Sequence, residues 1–204
     1  MTKTKFIAKW KHCINCPLHQ CRYNIVLYRG DIPAQILFIG EAPGPSENVI
    51  GKPFVGPAGK LQEKIVEEAS IEADYNPTYC YTNVVCCYPA TDIFTDKSYR
   101  APKKEEVDAC RERLIEFVHL VRPRIIITLG KIPKSHVPTI YPNLKKQPLI
   151  KSQLHPSAIL QIDDAEKAEL EFKRAVVHLA RTIKYLTGEI PWPEKRPPKK
   201  RRAK

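Results

Sequence analysis

The sequence predicts an α/β protein, a three-layer α/β/α sandwich around a central, mainly parallel sheet of four strands. Short apolar runs alternate along the chain with segments of helical period. Those runs are apolar at consecutive positions, as strands covered on both faces require. The length of 204 residues, 43% of them hydrophobic, is enough for one domain with a sizeable core.

The first strand is "AQILFIG" (34–40), a brief apolar run closed by glycine. In "AGKLQEKIVEEASI", Leu61, Ile65, Val66 and Ala69 fall at helical spacing. "TYCYTNVVCCYP" is a second strand, β-branched and aromatic, stopped by Pro89. "KKEEVDACRERLIEFVHLVRP" follows Pro102, carries Val107, Cys110, Leu114 and Phe117 on one stripe, and ends before Pro123. "RIIITLG" is a third strand, and "KIPKSHVPTIYPNLKKQP" is so broken by prolines that irregular chain is expected. "LIKSQLHPS" offers a fourth short strand leading to His155. Residues 163–188 make a long last helix, capped by Asp163 or Asp164 and ended by Gly188. Near the start, "KWKHCINCPLHQCRYNIV" is short, polar and cysteine-bearing, more a metal-tied knot than a regular element.

The formal charge of +12 is uneven: seven positive charges belong to the last ten residues, "KRPPKKRRAK", and residues 1–194 carry the other five. The division expected is a folded unit over 1–190 and a basic tail over 191–204 whose prolines and like charges predict disorder. Such a tail favours polyanions through counterion release and is equally compatible with a nuclear import signal in a eukaryotic host. No apolar run approaches the roughly 18 residues of a membrane span. With no signal-peptide pattern at the start, a soluble intracellular protein of cytoplasm or nucleoid is expected, with no membrane partner. Seven cysteines in such a chain point to metal ligation or redox chemistry before structural disulfides.

In parallel sheets the ligand sits beyond the carboxyl ends of the strands. Three loops fall there: 40–59, with five glycines and four prolines in twenty residues, the stretch from Asn83, and "HPSAIL". They come from distant parts of the sequence and would meet at one rim.

"GEAPGPSENVIGKPFVGPAG", "TNVVCCYP" and "HPSAIL", in that order, resemble the family 4 uracil-DNA glycosylases, which carry an iron–sulfur cluster. The resemblance runs from about Cys13 through Leu160 and leaves the basic tail outside. It implies excision of uracil from single-stranded and duplex DNA by base flipping and water attack, leaving an abasic site. It assigns Phe54 to stacking on the flipped base. Asn83 can accept from uracil N3–H and donate to O4, a pattern cytosine reverses. His155 can donate to uracil O2, where charge develops as the bond breaks. Ser157, beside Pro156, suits a loop gripping phosphate, and Ile159 or Leu160 could wedge where the base left. Glu41 and Glu47 divide the remaining tasks. The resemblance favours Glu47 as the wall against a thymine methyl, and it leaves Glu41 and the neighbouring backbone for the catalytic end. Ala42 follows Glu41 where family 1 enzymes carry a catalytic Asp, so this chain would rely on leaving-group stabilisation and positioning.

Cys13 and Cys16, with Cys87 and Cys110, match the family's four ligands, and four thiolates are what a [4Fe–4S] cluster takes. A structural zinc site is the alternative, since spacing does not separate the two. Cys86 abuts Cys87 and either could be the third ligand, while Cys21 and Cys80 are buried or spare thiols. "IFTDKSY" reads as an insertion before Cys110. Asn48 stands where the family usually has an acidic residue, and Asp92 lies where it often has Asn; if either position helps place the water, the chain would be slow, altered in substrate range or inactive. The rival from another class is a DNA-binding scaffold or replication subunit that keeps fold and cluster without catalysis. Intact Phe54, Asn83 and His155 argue against it. An iron–sulfur electron carrier ranks last, because it leaves the rim motifs unused.

Overall fold

The structure, a computed structural model, describes residues 1–90, 99–140, 142 and 147–193. Its sheet has five strands: β1 (Arg29–Gly30), β2 (Ile36–Gly40), β3 (Tyr79–Asn83), β4 (Ile125–Leu129) and β5 (Leu149–Gln153). They lie in the order β1-β3-β2-β4-β5. Strands β2, β3, β4 and β5 are parallel, with Ile36 opposite both Tyr79 and Ile125. The four strands expected are therefore joined by a fifth. β1 is a two-residue antiparallel edge on β3, too short to leave a periodic trace in the sequence.

Helices α1 (Lys3–Trp10), α4 (Lys104–Ala109), α5 (Arg111–Val121) and α6 (Lys131–Ile140) cover one face of the sheet. There Phe6, Trp10, Leu114, Phe117 and Val137 pack against Leu37, Ile39 and Ile126. Helices α3 (Pro57–Glu72), α7 (Pro156–Leu160) and α8 (Ala165–Thr187) cover the other, where Ile65, Ala69, Leu179 and Ile183 meet Ile36, Phe38 and Ile127. Alternate residues of β2 and β4 feed opposite cores, so these two strands are buried on both sides, while the edge strand β5 is half-buried. Of the two capping candidates, Asp164 caps α8, accepting from the Lys167 N–H at 3.0 Å, and Gly188 closes it in the left-handed conformation.

Three further expectations change. The knot at the start is preceded by a real helix, α1, followed by a 3₁₀ turn at Pro17–Gln20. Residues 131–140, expected to be irregular, form α6. Pro133 sits in its first turn, where no amide partner is lost, and Pro133, Val137 and Ile140 make the buried stripe. The single helix expected over 103–123 breaks at Cys110, which ends α4 and starts α5. Asp92 and most of the apparent insertion lie outside the described residues. Among those residues, no helix is long and apolar enough to cross a membrane.

The chain runs from β2 outward to β3, then returns to the other side of β2 as β4. The loops after β2 and β4 therefore diverge, which opens a crevice at their carboxyl ends.

Candidate functional site

Three strand ends and their loops build this crevice. β2 stops at Gly40, and a Cβ there would stand 2.4 Å from Asn83 Oδ1 and 2.7 Å from Phe54 Cζ. Glycine at the strand end is what lets the carboxamide and the ring approach one another. Two rungs prolong the β2–β3 pairing into the loops: Val84 N–H donates to Gly40 C=O at 2.8 Å and Val85 N–H to Glu41 C=O at 3.0 Å. Asn83 and Glu41 are thus fixed by one ladder.

Between Gly40 and α3 the loop folds around a carboxylate. Glu47, on the short helix α2 (Pro45–Ile50), accepts from Gly44 N–H at 3.1 Å, Val55 N–H at 2.9 Å and Gly56 N–H at 2.7 Å. Both oxygens are engaged, and the two ends of the loop are stapled together by charge-assisted bonds. Phe54 is held with φ +57°, a left-handed conformation costly for a bulky residue. Arg29 steadies it, donating to the carbonyls of Pro53 and Phe54, each at 3.0 Å. The same guanidinium pairs with Glu63 and lies 4.8 Å from the centre of the Tyr81 ring. Gly59 allows α3 to start close by, since a Cβ there would be 2.0 Å from the Phe54 carbonyl oxygen. The Phe54 ring, 6% exposed, packs on Tyr81 at 5.1 Å and faces His155 at 6.3 Å.

His155 is the N-cap of α7. Its Nδ1 accepts from the Ser157 N–H at 3.2 Å and lies 2.7 Å from Ser157 Oγ. With Nδ1 an acceptor, the neutral imidazole carries its proton on Nε2. Burial lowers its pKa from the usual 6.5, while Glu47 pulls the other way. The ring is therefore a neutral donor near neutral pH.

Glu41 accepts from the Tyr99 hydroxyl at 3.0 Å, and burial together with Glu41 pushes the Tyr99 phenol up. Asn48 is buried and accepts from Tyr23 N–H at 2.9 Å, while Asn24 donates to its carbonyl at 3.0 Å. An acidic side chain would accept the Tyr23 N–H equally well, so here Asn48 ties the cysteine-bearing segment to the rim loop. The structure therefore brings Asn83, Phe54, Glu47, His155 and Ser157 into one neighbourhood, with Glu41 on the adjoining ladder. Half-buried Ala42 packs toward the α5 side of the sheet. Sequence reasoning missed Arg29 and Tyr99, which lie outside any motif.

On that side, Cys13, Cys16, Cys86, Cys87 and Cys110 line one small cavity, together with Trp10, Arg22 and Arg113. Cys80 is instead a core residue. Among the described residues, no three or more His, Cys, Asp or Glu side chains are arranged to hold a metal ion. Arg22 donates to Cys87 Sγ at 3.1 Å and to the Cys13 carbonyl at 2.7 Å. Arg113 is 2% exposed and bonds only neutral oxygens: Thr82 Oγ1 at 3.0 Å, Asn83 C=O at 2.6 Å and Val84 C=O at 2.7 Å. Its Nε is buried without a partner among the described residues. Burial pushes the Cys87 thiol up to about 12 and raises those of Cys16 and Cys86. Five thiols around one cavity, beside two guanidiniums, are a donor set that fits a thiolate-bound centre of net negative charge facing the arginines.

The sequence profile of the uracil DNA glycosylase superfamily matches residues 27–180. The chain belongs to this superfamily. A type-4 uracil-DNA glycosylase of Sulfurisphaera tokodaii is 31% identical over 199 residues, covering 86% of each chain, which places the chain in the type-4 family. It is also similar to type-4 uracil-DNA glycosylases of Pyrobaculum aerophilum, 38% identical over 60% of this chain, and Saccharolobus solfataricus, 39% identical over 62%. These two matches span little over half of the relatives' own lengths, 57% and 55%. The matched superfamily segment contains Gly40, Phe54, Asn83 and His155 and begins after Cys13 and Cys16.

Proposed function

We propose that this chain is a monofunctional uracil-DNA glycosylase. It hydrolyses the N-glycosidic bond of deoxyuridine in single-stranded and duplex DNA, releases uracil and leaves an abasic site. The observation that carries this reading is the meeting of Asn83 and Phe54 over Gly40, with His155 beside them in a fixed tautomer.

A flipped uracil enters against Phe54, the left-handed backbone presenting the ring from a loop that Glu47 and Arg29 keep stiff. Asn83 reads the base edge by accepting from N3–H and donating to O4. As the glycosidic bond lengthens, electron density flows onto the base, and His155 Nε2–H donates to O2. Ser157 holds Nδ1, so the donor is oriented before the charge appears. Glu41 faces the cationic sugar and orients the water that attacks C1′, and Glu47 closes the C5 side against a methyl group. Such donors are worth about 3–4 kcal/mol of barrier.

The thiolates of Cys13, Cys16, Cys87 and Cys110 hold a [4Fe–4S] cluster, with a structural zinc as the alternative, which iron content and visible absorbance distinguish. When bound, such a centre would cross-link the N-terminal segment, the β3 loop and the start of α5, and would offset the charge of Arg22 and Arg113. Residues 1–190 form the glycosylase unit of a soluble intracellular protein, and the basic tail adds affinity for DNA that salt screens.

The test is single-turnover cleavage of an oligonucleotide with one uracil, followed by alkali, against matched thymine and cytosine strands. Uracil-specific breaks are the expected result. A DNA-binding, cluster-loaded preparation that releases no uracil overturns this reading in favour of a scaffold.

A further inference from the structure

We propose that Arg113 is a positioning residue through which the cysteine-bound centre holds the base-reading end of β3 in register. The inference rests on the reading just given, that the cavity carries an anionic centre and that Asn83 reads uracil.

An always-charged guanidinium buried this deeply needs an anion nearby, because neutral oxygens do not offset the loss of hydration. Arg113 bonds only neutral oxygens, yet it also lines the cavity that holds five cysteines, and its Nε is buried without a partner among the described residues. The side chain thus borders the thiol cavity. Its Nη2 grips the carbonyls of Asn83 and Val84, the last residue of β3 and the first beyond it.

Those two residues open the ladder that ends in the site. Val84 and Val85 N–H groups donate to the carbonyls of Gly40 and Glu41. The connection from the cavity through Arg113 to Asn83 is a single side chain, and from there to Glu41 two backbone rungs. A thiolate centre anchors the cation, and the cation fixes where the strand stops and how Asn83 presents its carboxamide. Without the centre, Arg113 is a buried charge whose energy falls if it withdraws from the cavity, and withdrawal releases both carbonyls. α5 also carries a signal in the sequence, since Arg113 stands three residues after Cys110 and four before Phe117, on the apolar stripe where a charge is out of place.

The experiment compares the full-length protein as loaded, the same protein stripped with a chelator, and loaded Arg113→Met and Arg113→Lys. Iron and zinc content are measured for each. The primary readout is amide hydrogen exchange at Val84 and Val85 against Ile126 and Ile127 in the middle of β4. Stripping is expected to speed exchange at Val84 and Val85 at least tenfold, with β4 little changed. Arg113→Met should show the same local loosening while still loaded, and Arg113→Lys should restore part of the protection. Discrimination of uracil over cytosine should fall about tenfold in Arg113→Met, through KM more than kcat. Unchanged exchange at Val84 and Val85 in both the stripped protein and Arg113→Met overturns the proposal, as does a protein that retains neither iron nor zinc. If Arg113→Met unfolds, the stripped wild type still decides. Local loosening in a protein that never releases uracil would sink the glycosylase reading and leave the link from cavity to strand standing.

Discussion

The rim and the cysteine cavity are both polar sites assembled from distant segments, and they differ in what satisfies them. At the rim the chain answers its own groups: three amides hold Glu47, Ser157 holds His155, and the hydroxyl of Tyr99 meets Glu41. In the cavity, raised thiols face two guanidiniums, one with a buried donor unmatched. A site that must recognise a transient charge is built rigid in advance, whereas the cavity is the place where the proposed thiolate centre would offset the charge of Arg22 and Arg113.

Four measurements sharpen or break that comparison. His155→Ala should slow single-turnover uracil release by about 10²–10³-fold while iron content stays at the wild-type level. Loss of iron in that variant would mean the two sites are not separately built. Glu47→Gln, which weakens bonds from three amides, should lower stability by about 2 kcal/mol in urea unfolding. A change near zero would show that the loop does not depend on its carboxylate. Gly40→Ala should slow uracil release by about tenfold, a shift of about 1.4 kcal/mol, with a Tm close to wild type, because Asn83 or Phe54 must give way. Full activity would place the base elsewhere.

The smallest effect is on pH. Burial depresses His155 below 6.5 in the folded state, so the unfolded chain binds the extra proton first. The stability from this group is complete above about pH 6.5 and falls as pH drops through that value toward the folded pKa. In urea unfolding, His155→Gln should therefore lose less stability than wild type between about pH 7.5 and about pH 5.5. An identical loss would show that His155 is not held neutral by its surroundings. His136 and His178 are also depressed by burial, so the difference between the two proteins is the quantity that matters.

Much of this architecture was legible because it depends on short-range pattern. The three inner strands announce themselves as apolar runs, and Gly40, Phe54, Asn83 and His155 lie in the rim motifs. Strand β1 was invisible because two residues have no period, and α6 because its prolines mask the stripe of Val137 and Ile140. The partners that stiffen the rim were hidden for a different reason. Arg29 reaches the Phe54 carbonyl, and Tyr99 reaches Glu41, across 25 and 58 residues of sequence, and long-range contacts leave no local signature. Glu47 was expected as a wall for the base, and its grip on three loop amides adds a structural task that composition alone did not suggest.

The two rungs beyond β3 also bear on how such a chain tolerates change over generations. A length change between Asn83 and Val85 would leave Asn83 opposite Gly40 but slip the rungs beyond it by one residue and turn the following segment to the opposite face. Extra residues can accumulate without that penalty only after the ladder has closed and the last of the paired cysteines has passed. The apparent insertion before Cys110 begins beyond Pro89, on the permissive side of that boundary.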